Sequence, residues 1–153
     1  MKCITMKVYC IILFLACFSV NAQQLQQEKE EVQKSIEVFF EGFHQKDTVK
    51  IQSVCSSKMI LQSISESVSK GNKLSDETPS KFYKSIASIP QNSKFQEKIL
   101  SYNIQIDGVM AHVWAPYEFY FNDKFSHSGV NTFTLFKENN VWKIIYLIDT
   151  RRK

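Results

Sequence analysis

Between Ser101 and Arg152 apolar residues return at nearly every second position, broken only by short polar punctuation. A period of two marks a strand with one buried face, because successive side chains point to opposite sides of a sheet. The punctuation is turn chemistry. Asp107-Gly108 suits a tight two-residue hairpin, since glycine takes a positive φ freely, and Asn139-Asn140 suits another. Asn122-Asp123-Lys124 reads as a three-residue loop. Successive hairpins leave few options: this part of the chain is an antiparallel meander.

The register decides what the meander buries. With Asp107-Gly108 as the turn, Ile106 stands opposite Val109. One face then collects Leu100, Tyr102, Ile104 and Ile106, followed by Ala111, Val113, Ala115, Tyr117, Phe119 and Phe121. Pro116 inside that run predicts an edge, a bend or a bulge. A three-residue loop pairs Phe121 with Phe125 and brings His127, Gly129, Asn131, Phe133 and Leu135 to the same face. A two-residue loop would bury Ser126, Ser128, Thr132 and Thr134 instead, because a slip of one residue exchanges the two faces. Hydrophobic burial favours the first register. The last turn pairs Leu135 with Ile144, Phe133 with Tyr146 and Asn131 with Ile148.

The opposite face carries Met110, His112, Trp114, Val130, Phe136, Ile145 and Leu147, which is too apolar for a face left to water. A homodimer joined through the outer faces of the sheets is the expected cover.

The start of the chain has a different character. Lys2 and Lys7 precede the apolar run Val8–Phe18, and Ser19-Val20-Asn21-Ala22 offers the small residues of a leader cleavage site before Gln23. The run is shorter than the roughly 20 apolar residues of a membrane-spanning helix. The expectation is a signal peptide over 1–22, one domain over 23–153, and export to the periplasm or the medium. A rival route attaches a lipid at Cys17, since Leu15-Ala16-Cys17 resembles the end of a lipoprotein box; Phe14 and the downstream site at Ala22 argue against it.

Of the four cysteines, Cys3, Cys10 and Cys17 leave with this leader, so Cys55 has no intramolecular partner and the core alone must hold the domain. Val54-Cys55 sits in an apolar-leaning stretch, which suits an inert buried thiol. The net charge of +4 falls further when Lys2 and Lys7 go, and the basic cluster Arg151-Arg152-Lys153 is a solvated end; neither makes a nucleic-acid footprint.

Gln23–Lys46 has helical period, with Leu25, Val32, Ile36, Phe39, Phe40 and Phe43 on one face. Glu28, Lys29, Glu30, Glu31, Lys34 and Glu41 face away, Glu30 and Lys34 forming an i,i+4 pair. That mixed-sign polar face suits packing on its own domain rather than on a membrane surface. Asp47 can cap a short helix to about Val54, Met59–Ile64 reads as a strand, and Ser65–Glu77 as a loop that could hold a hairpin turn. Thr78-Pro79 opens another helix with Phe82, Tyr83, Ile86 and Ile89 as its apolar face, stopped by Pro90.

A long helix, two shorter ones and a curved antiparallel meander resemble the nuclear-transport-factor-2-like superfamily. Phe125-Ser126-His127-Ser128-Gly129, Trp142-Lys143-Ile144 and Asp149-Thr150-Arg151-Arg152 are similar to a small exported bacterial family labelled lumazine-binding. The resemblance implies an α+β, cone-shaped fold in which helices close one side of the sheet around a cavity. Domains of this fold include isomerases, dehydratases, cyclases, hydrolases and plain binders, so fold does not choose a function.

The candidate site is the inward face. His127 could act as acid or base near neutral pH, or be a hydrogen-bonded core histidine. Asn131 could orient it or a ligand carbonyl. Tyr102, Tyr117, Phe119 and Tyr146 share the face and would give an aromatic lining suited to a small, flat, hydrophobic or aromatic ligand. Glu118 and Asp149 fall on the outer face, so no inward carboxylate is available as a base. His44, His112 and His127 lack metal-ligand spacing, and neither a phosphate-cradling glycine loop nor a nucleophile elbow is present, so no metal and no cofactor are expected. The leading reading is a small-molecule-binding or accessory domain. Its alternatives are an isomerase- or dehydratase-type enzyme using His127 with a tyrosine, and an interaction module with a filled cavity.

Overall fold

The computed structural model describes residues 22–69 and 71–152. The first helix, α1, is Lys2–Gln45, so all of the expected leader except Ala22 lies outside the described residues. The order continues α2 Thr48–Ser53, β1 Cys55–Ser65, β2 Lys73–Glu77, α3 Pro79–Ala87, β3 Phe95–Ile99, β4 Asn103–Asp107, β5 Met110–Phe121, β6 Lys124–Glu138 and β7 Val141–Arg151. The fold is α+β, as the sequence predicts. Among the described residues no helix is long and apolar enough to cross a membrane.

Local chemistry sets the helix ends. The Asp47 carboxylate accepts from the amides of Val49 and Lys50 at the start of α2, and the Thr78 hydroxyl accepts from Lys81 with Pro79 at the first helical position of α3. Along α1, Val32, Ile36, Phe39 and Phe40 are buried against Phe133, Leu135, Trp142 and Ile144. Leu25 stays exposed, so the apolar face of α1 begins about two turns later than its period suggests. Glu28 turns toward the sheet rather than away: its carboxylate accepts from Lys137 Nζ at 2.6 and 2.7 Å and from Trp142 Nε1 at 3.0 Å. Lys34 lies 3.9 Å from Glu37, not on Glu30.

The sheet runs β2-β1-β7-β6-β5-β3, with β4 also on β5. Every strand pair is antiparallel except β1 with β7, which is parallel. β1 is longer than Met59–Ile64, and the expected loop over 65–77 is a hairpin whose return strand is β2.

Four local features of the meander differ from expectation, each for a definable reason. The first turn is Gly108-Val109, placing Ile106 opposite Ala111; Gly108 supplies the left-handed φ of +57° one position earlier in the loop than expected. The strand expected to carry Leu100 to Ile106 is two, β3 and β4, laid end to end along β5, with Leu100 in the break between them. Their break faces Pro116, which accepts from the Leu100 amide at 2.9 Å but has no N–H to return.

Asn122 and Asp123 take φ of 49° and 61°, so this turn has two residues and Phe121 pairs with Lys124. A bulge then restores the anticipated faces. Tyr120 pairs with Phe125 and Phe119 with His127, leaving Ser126 extra, so His127, Asn131, Phe133 and Leu135 point inward by a different route. Leu135 pairs with Ile144 as expected, but a second bulge leaves Ile145 extra. Beyond it Thr134 pairs with Tyr146, Phe133 with Leu147 and Asn131 with Asp149. The inward residues of β7 are therefore Leu147, Asp149 and Arg151, while Tyr146 and Ile148 turn outward.

The Glu28 clamp yields a stability prediction. Hydrogen bonding from Lys137 holds the Glu28 pKa below the ordinary value of 4.5, so its contribution is full above that value and is lost as pH falls through the lower folded one. Glu28→Gln is expected to lower unfolding stability at neutral pH by about 1–2 kcal/mol. The gap from wild type closes under acid, as read by urea unfolding across pH.

Candidate functional site

A cavity of about 580 Å³ lies between the inward face of the sheet and the helices α1 and α3. Phe39, Phe40 and Phe43 of α1 and Phe82 of α3 form its apolar wall. The Phe82 ring stacks between Phe39 and Phe43 at 6.1 and 6.4 Å, with an interplanar angle of 5° to each. The sheet supplies Leu61 and Ser63 from β1, Glu97 from β3, Tyr117 and Phe119 from β5, His127 and Asn131 from β6, and Leu147, Asp149 and Arg151 from β7. Lining residues that are themselves exposed, Ser65, Asp76, Lys81, Ser85 and Arg151, mark the mouth.

Register brings the polar groups together. Glu97, Phe119 and His127 are successive cross-strand neighbours, as are Ala115, Asn131 and Asp149. Asn131 Nδ2 donates to Glu97 Oε1 at 2.6 Å. The Glu97 backbone N–H donates to His44 Nε2 at 2.9 Å, which fixes the neutral tautomer of His44 with its proton on Nδ1. The Tyr117 hydroxyl donates to the Thr150 carbonyl at 3.0 Å and lies 3.4 Å from Asp149 Oδ2, which also accepts from Arg151 Nε at 2.7 Å. His127 stacks on Phe119 with centroids 4.9 Å apart, meets Tyr117 edge-on at 5.8 Å, and has Nδ1 3.1 Å from the Ser126 hydroxyl.

Gly129 makes this packing feasible. It stands opposite Tyr117, and a Cβ there would sit 1.7 Å from the Thr150 carbonyl oxygen and 2.8 Å from Tyr117 Cε1. Any side chain at 129 would push apart the contact that anchors the tyrosine.

Burial shapes the ionisation of the wall. It pushes Glu97 up to about 7, with the Asp149 charge adding to the shift and the Asn131 amide and Arg151 opposing it. It likewise raises Tyr117, reinforced by the charges of Asp149 and Glu97, and lowers His44. The cavity thus presents a carboxyl group that exists in both protonation states near neutral pH, beside an imidazole and a phenol.

Of the residues singled out in the sequence, Tyr117, Phe119, His127 and Asn131 line the cavity. Tyr146 does not: the Ile145 bulge turns it outward, where its hydroxyl donates to Gln62 Oε1. Tyr102 follows the break opposite Pro116 and packs beside the core, outside the cavity wall. The expected lack of an inward carboxylate is overturned by Glu97, set inward by the break between β3 and β4, and by Asp149, set inward by the Ile145 bulge. Phe95-x-Glu97-x-Ile99 carries a weak signal of its own, an alternation out of phase with Tyr102, Ile104 and Ile106. Glu118 faces outward as expected and accepts from Tyr120. Cys55 is buried, its thiol pushed up to about 12 chiefly by burial. Among the described residues no group of His, Cys, Asp and Glu could hold a metal ion.

No family model matches the chain, and no curated protein matches it. Solved structures do. An NTF2-like protein of unknown function from Shewanella baltica shares 18% identity at a TM-score of 0.61, over 83% of this chain and 95% of its own. The chain has the NTF2-like fold. A protein of unknown function with a cystatin-like fold from Nostoc punctiforme matches at a TM-score of 0.63 and 12% identity, covering 81% and 90% of the two chains. A proposed dehydratase from the NTF2-like family of Streptomyces avermitilis matches at 0.64 and 13%, covering 84% and 98%. At these identities the likeness speaks for architecture: a long helix lying against a curved, unclosed sheet.

The Glu97 shift predicts how stability responds to pH. A carboxyl group raised to about 7 holds its proton in the folded state while the unfolded chain has lost it, so stability falls as pH rises from 4.5 toward 7. Glu97→Gln, which keeps an acceptor for Asn131, is expected to be more stable than wild type at pH 8, with the advantage shrinking toward pH 5. Urea midpoints at the two pH values measure it; an advantage that grows in acid contradicts the assignment.

Proposed function

We propose that this chain is a small-molecule-binding protein whose ligand, flat and largely apolar, occupies the cavity between α1, α3 and the sheet. The observation that carries the reading is the pairing of an aromatic wall with a few convergent polar groups, Glu97, Asn131, His127 and Tyr117, in a space of about 580 Å³. The size of that space speaks against an interaction module with a filled cavity. The resemblance of Phe125–Gly129 and Asp149–Arg152 to a family labelled lumazine-binding is compatible with a flat ring system, and no ligand is assigned on it.

A second reading is favoured by one observation. Glu97, raised to about 7 beside His127 and Tyr117, has the ionisation suited to a general acid or base, which supports an isomerase- or dehydratase-type enzyme. The two readings part in heavy water. A ligand retained on purification that exchanges a carbon-bound hydrogen or loses water, and stops doing so in His127→Ala without weaker binding, identifies an enzyme. A chemically unchanged ligand identifies a binder.

We also infer export with removal of 1–22, from Lys2, Lys7, Val8–Phe18 and Ala22, and a homodimer through the outer sheet face. There Met110, Trp114 and Phe136 are exposed, and Met110 and Phe136 are direct cross-strand neighbours. A second copy is the natural cover, because a two-fold axis lets one apolar patch bury itself. Native mass spectrometry of the protein from its own host is expected to show a dimer of chains beginning at Gln23 with ligand retained. Trp114→Lys is expected to give monomers that keep the ligand. A monomeric wild type at high concentration sinks the dimer, and an N-terminus other than Gln23 sinks the cleavage site.

A further inference from the structure

We propose that the ligand of this cavity is a flat aromatic amine, bound as its cation with the ammonium group on Glu97. The inference rests on the ligand-binding reading and adds the charge of what is bound. Four carboxylates, Asp76, Glu77, Glu97 and Asp149, line the cavity against two cationic side chains, Lys81 and Arg151, and the His127 imidazole. Arg151 is committed to Asp149 at 2.7 Å, and Lys81 is exposed at the mouth. Among the described residues no cation lies within 4 Å of Glu97.

Glu97 is half satisfied. Oε1 takes the Asn131 amide at 2.6 Å, whereas among the described residues Oε2 has no hydrogen-bond partner and no fully buried side-chain oxygen or nitrogen lacks one, so Oε2 is open to the cavity. A carboxylate withdrawn from water needs a counter-charge or a proton. An incoming ammonium supplies the counter-charge, with donors for Oε2. The remaining wall suits the ring of such a ligand: Phe39, Phe43, Phe82 and Phe119 give it aromatic, apolar surface. An anionic ligand would instead meet Asp149 and Glu97 together.

Charge balance adds a signature. At neutral pH part of the Glu97 population carries a proton, and an ammonium that pairs with the carboxylate displaces it. Binding is therefore expected to release protons near pH 7 and to strengthen as pH rises. The other titratable or charged groups facing Glu97 are His44 from α1, Tyr117 from β5, His127 from β6, and Asp149 and Arg151 from β7.

The test uses the whole mature chain and three probes with one ring system: 2-(aminomethyl)naphthalene, 2-naphthalenemethanol and 2-naphthoate, titrated calorimetrically at pH 8. The amine is expected to bind at least about tenfold tighter than the alcohol, as a charge-assisted hydrogen bond gives, and naphthoate weakest. In Glu97→Gln the amine-to-alcohol ratio is expected to collapse toward one. At pH 7 the wild-type binding heat of the amine is expected to vary with the ionisation enthalpy of the buffer, a readout that needs no variant. An alcohol that binds as tightly as the amine overturns the inference and leaves the ligand-binding reading standing. A preference that survives Glu97→Gln, or no proton release at pH 7, overturns the role given to Glu97. Failure of all three probes to bind removes the reading and the inference together.

Discussion

A strand can offer only every second side chain to the space beneath it, so the contents of this cavity depend on where the alternation slips. It slips at three places. The break at Leu100–Tyr102 changes phase between β3 and β4, the extra Ser126 changes it in β6, and the extra Ile145 changes it in β7. Without the first, Glu97 would point to the outer side; without the last, Asp149 and Arg151 would do so and Tyr146 would replace them. The polar end of the cavity is thus a product of irregularities, and the apolar end, from α1 and α3, is a product of regular helical period. Bulges near sites re-aim side chains in this way.

Those slips need a frame that does not slip with them. The fixed part is the far half of the sheet, where Ala111, Val113, Phe133, Leu135 and Ile144 are fully buried against Val32 and Ile36 of α1. The alanines keep the sheet surface low so that the helix can approach. Glu28 then locks the helix to β6 and β7 through Lys137 and Trp142, with the lysine over the indole ring as well, 5.5 Å from its centroid. With Cys55 as the free cysteine of the described residues, core burial and this clamp supply the rigidity that disulfides provide elsewhere. At the cavity end the tolerance is equally small, since the Thr150 carbonyl passes so close to Gly129 that no side chain fits between them.

Elements with local chemistry were legible in the sequence. The caps Asp47 and Thr78-Pro79, the helical period through Val32, Ile36, Phe39 and Phe40, and the existence of the late hairpins follow from residues a few positions apart, and they lead to the fold class. Four of the proposed site residues, Tyr117, Phe119, His127 and Asn131, also reach the cavity, His127 and Asn131 because the Ser126 bulge cancels the unexpectedly short turn at Asn122-Asp123. Glu97 and Asp149 were missed because a change of phase hides each of them, a break for the first and a bulge for the second. A bulge is favoured by what the neighbouring strands and helices accept, and neither Ser126 nor Ile145 carries a local mark of it. The break before Tyr102 left a trace in Pro116, but on the partner strand, where the missing N–H takes effect across the ladder rather than along the chain.

Glu97 in the cavity wall and His44 of α1 both resist charge, and they are joined. His44 lies among Phe40, Phe43 and Phe95 and accepts from the backbone N–H of Glu97, so helix α1 and strand β3 meet through a neutral imidazole. Protonating His44 would place a donor where the acceptor stands and break that bond. Its folded pKa lies below 6.5, so the stability it contributes is present above 6.5 and is lost as pH falls through the lower folded value. Glu97 acts in the opposite direction, opposing the fold as pH rises toward 7. The empty site is thus most at ease in a range below neutrality, with both groups uncharged. A ligand that pairs with ionised Glu97 lifts the upper limit of that range and leaves the lower one to His44. Occupancy and stability then become coupled through a single carboxyl group, and the coupling strengthens where the empty protein is weakest, above pH 7.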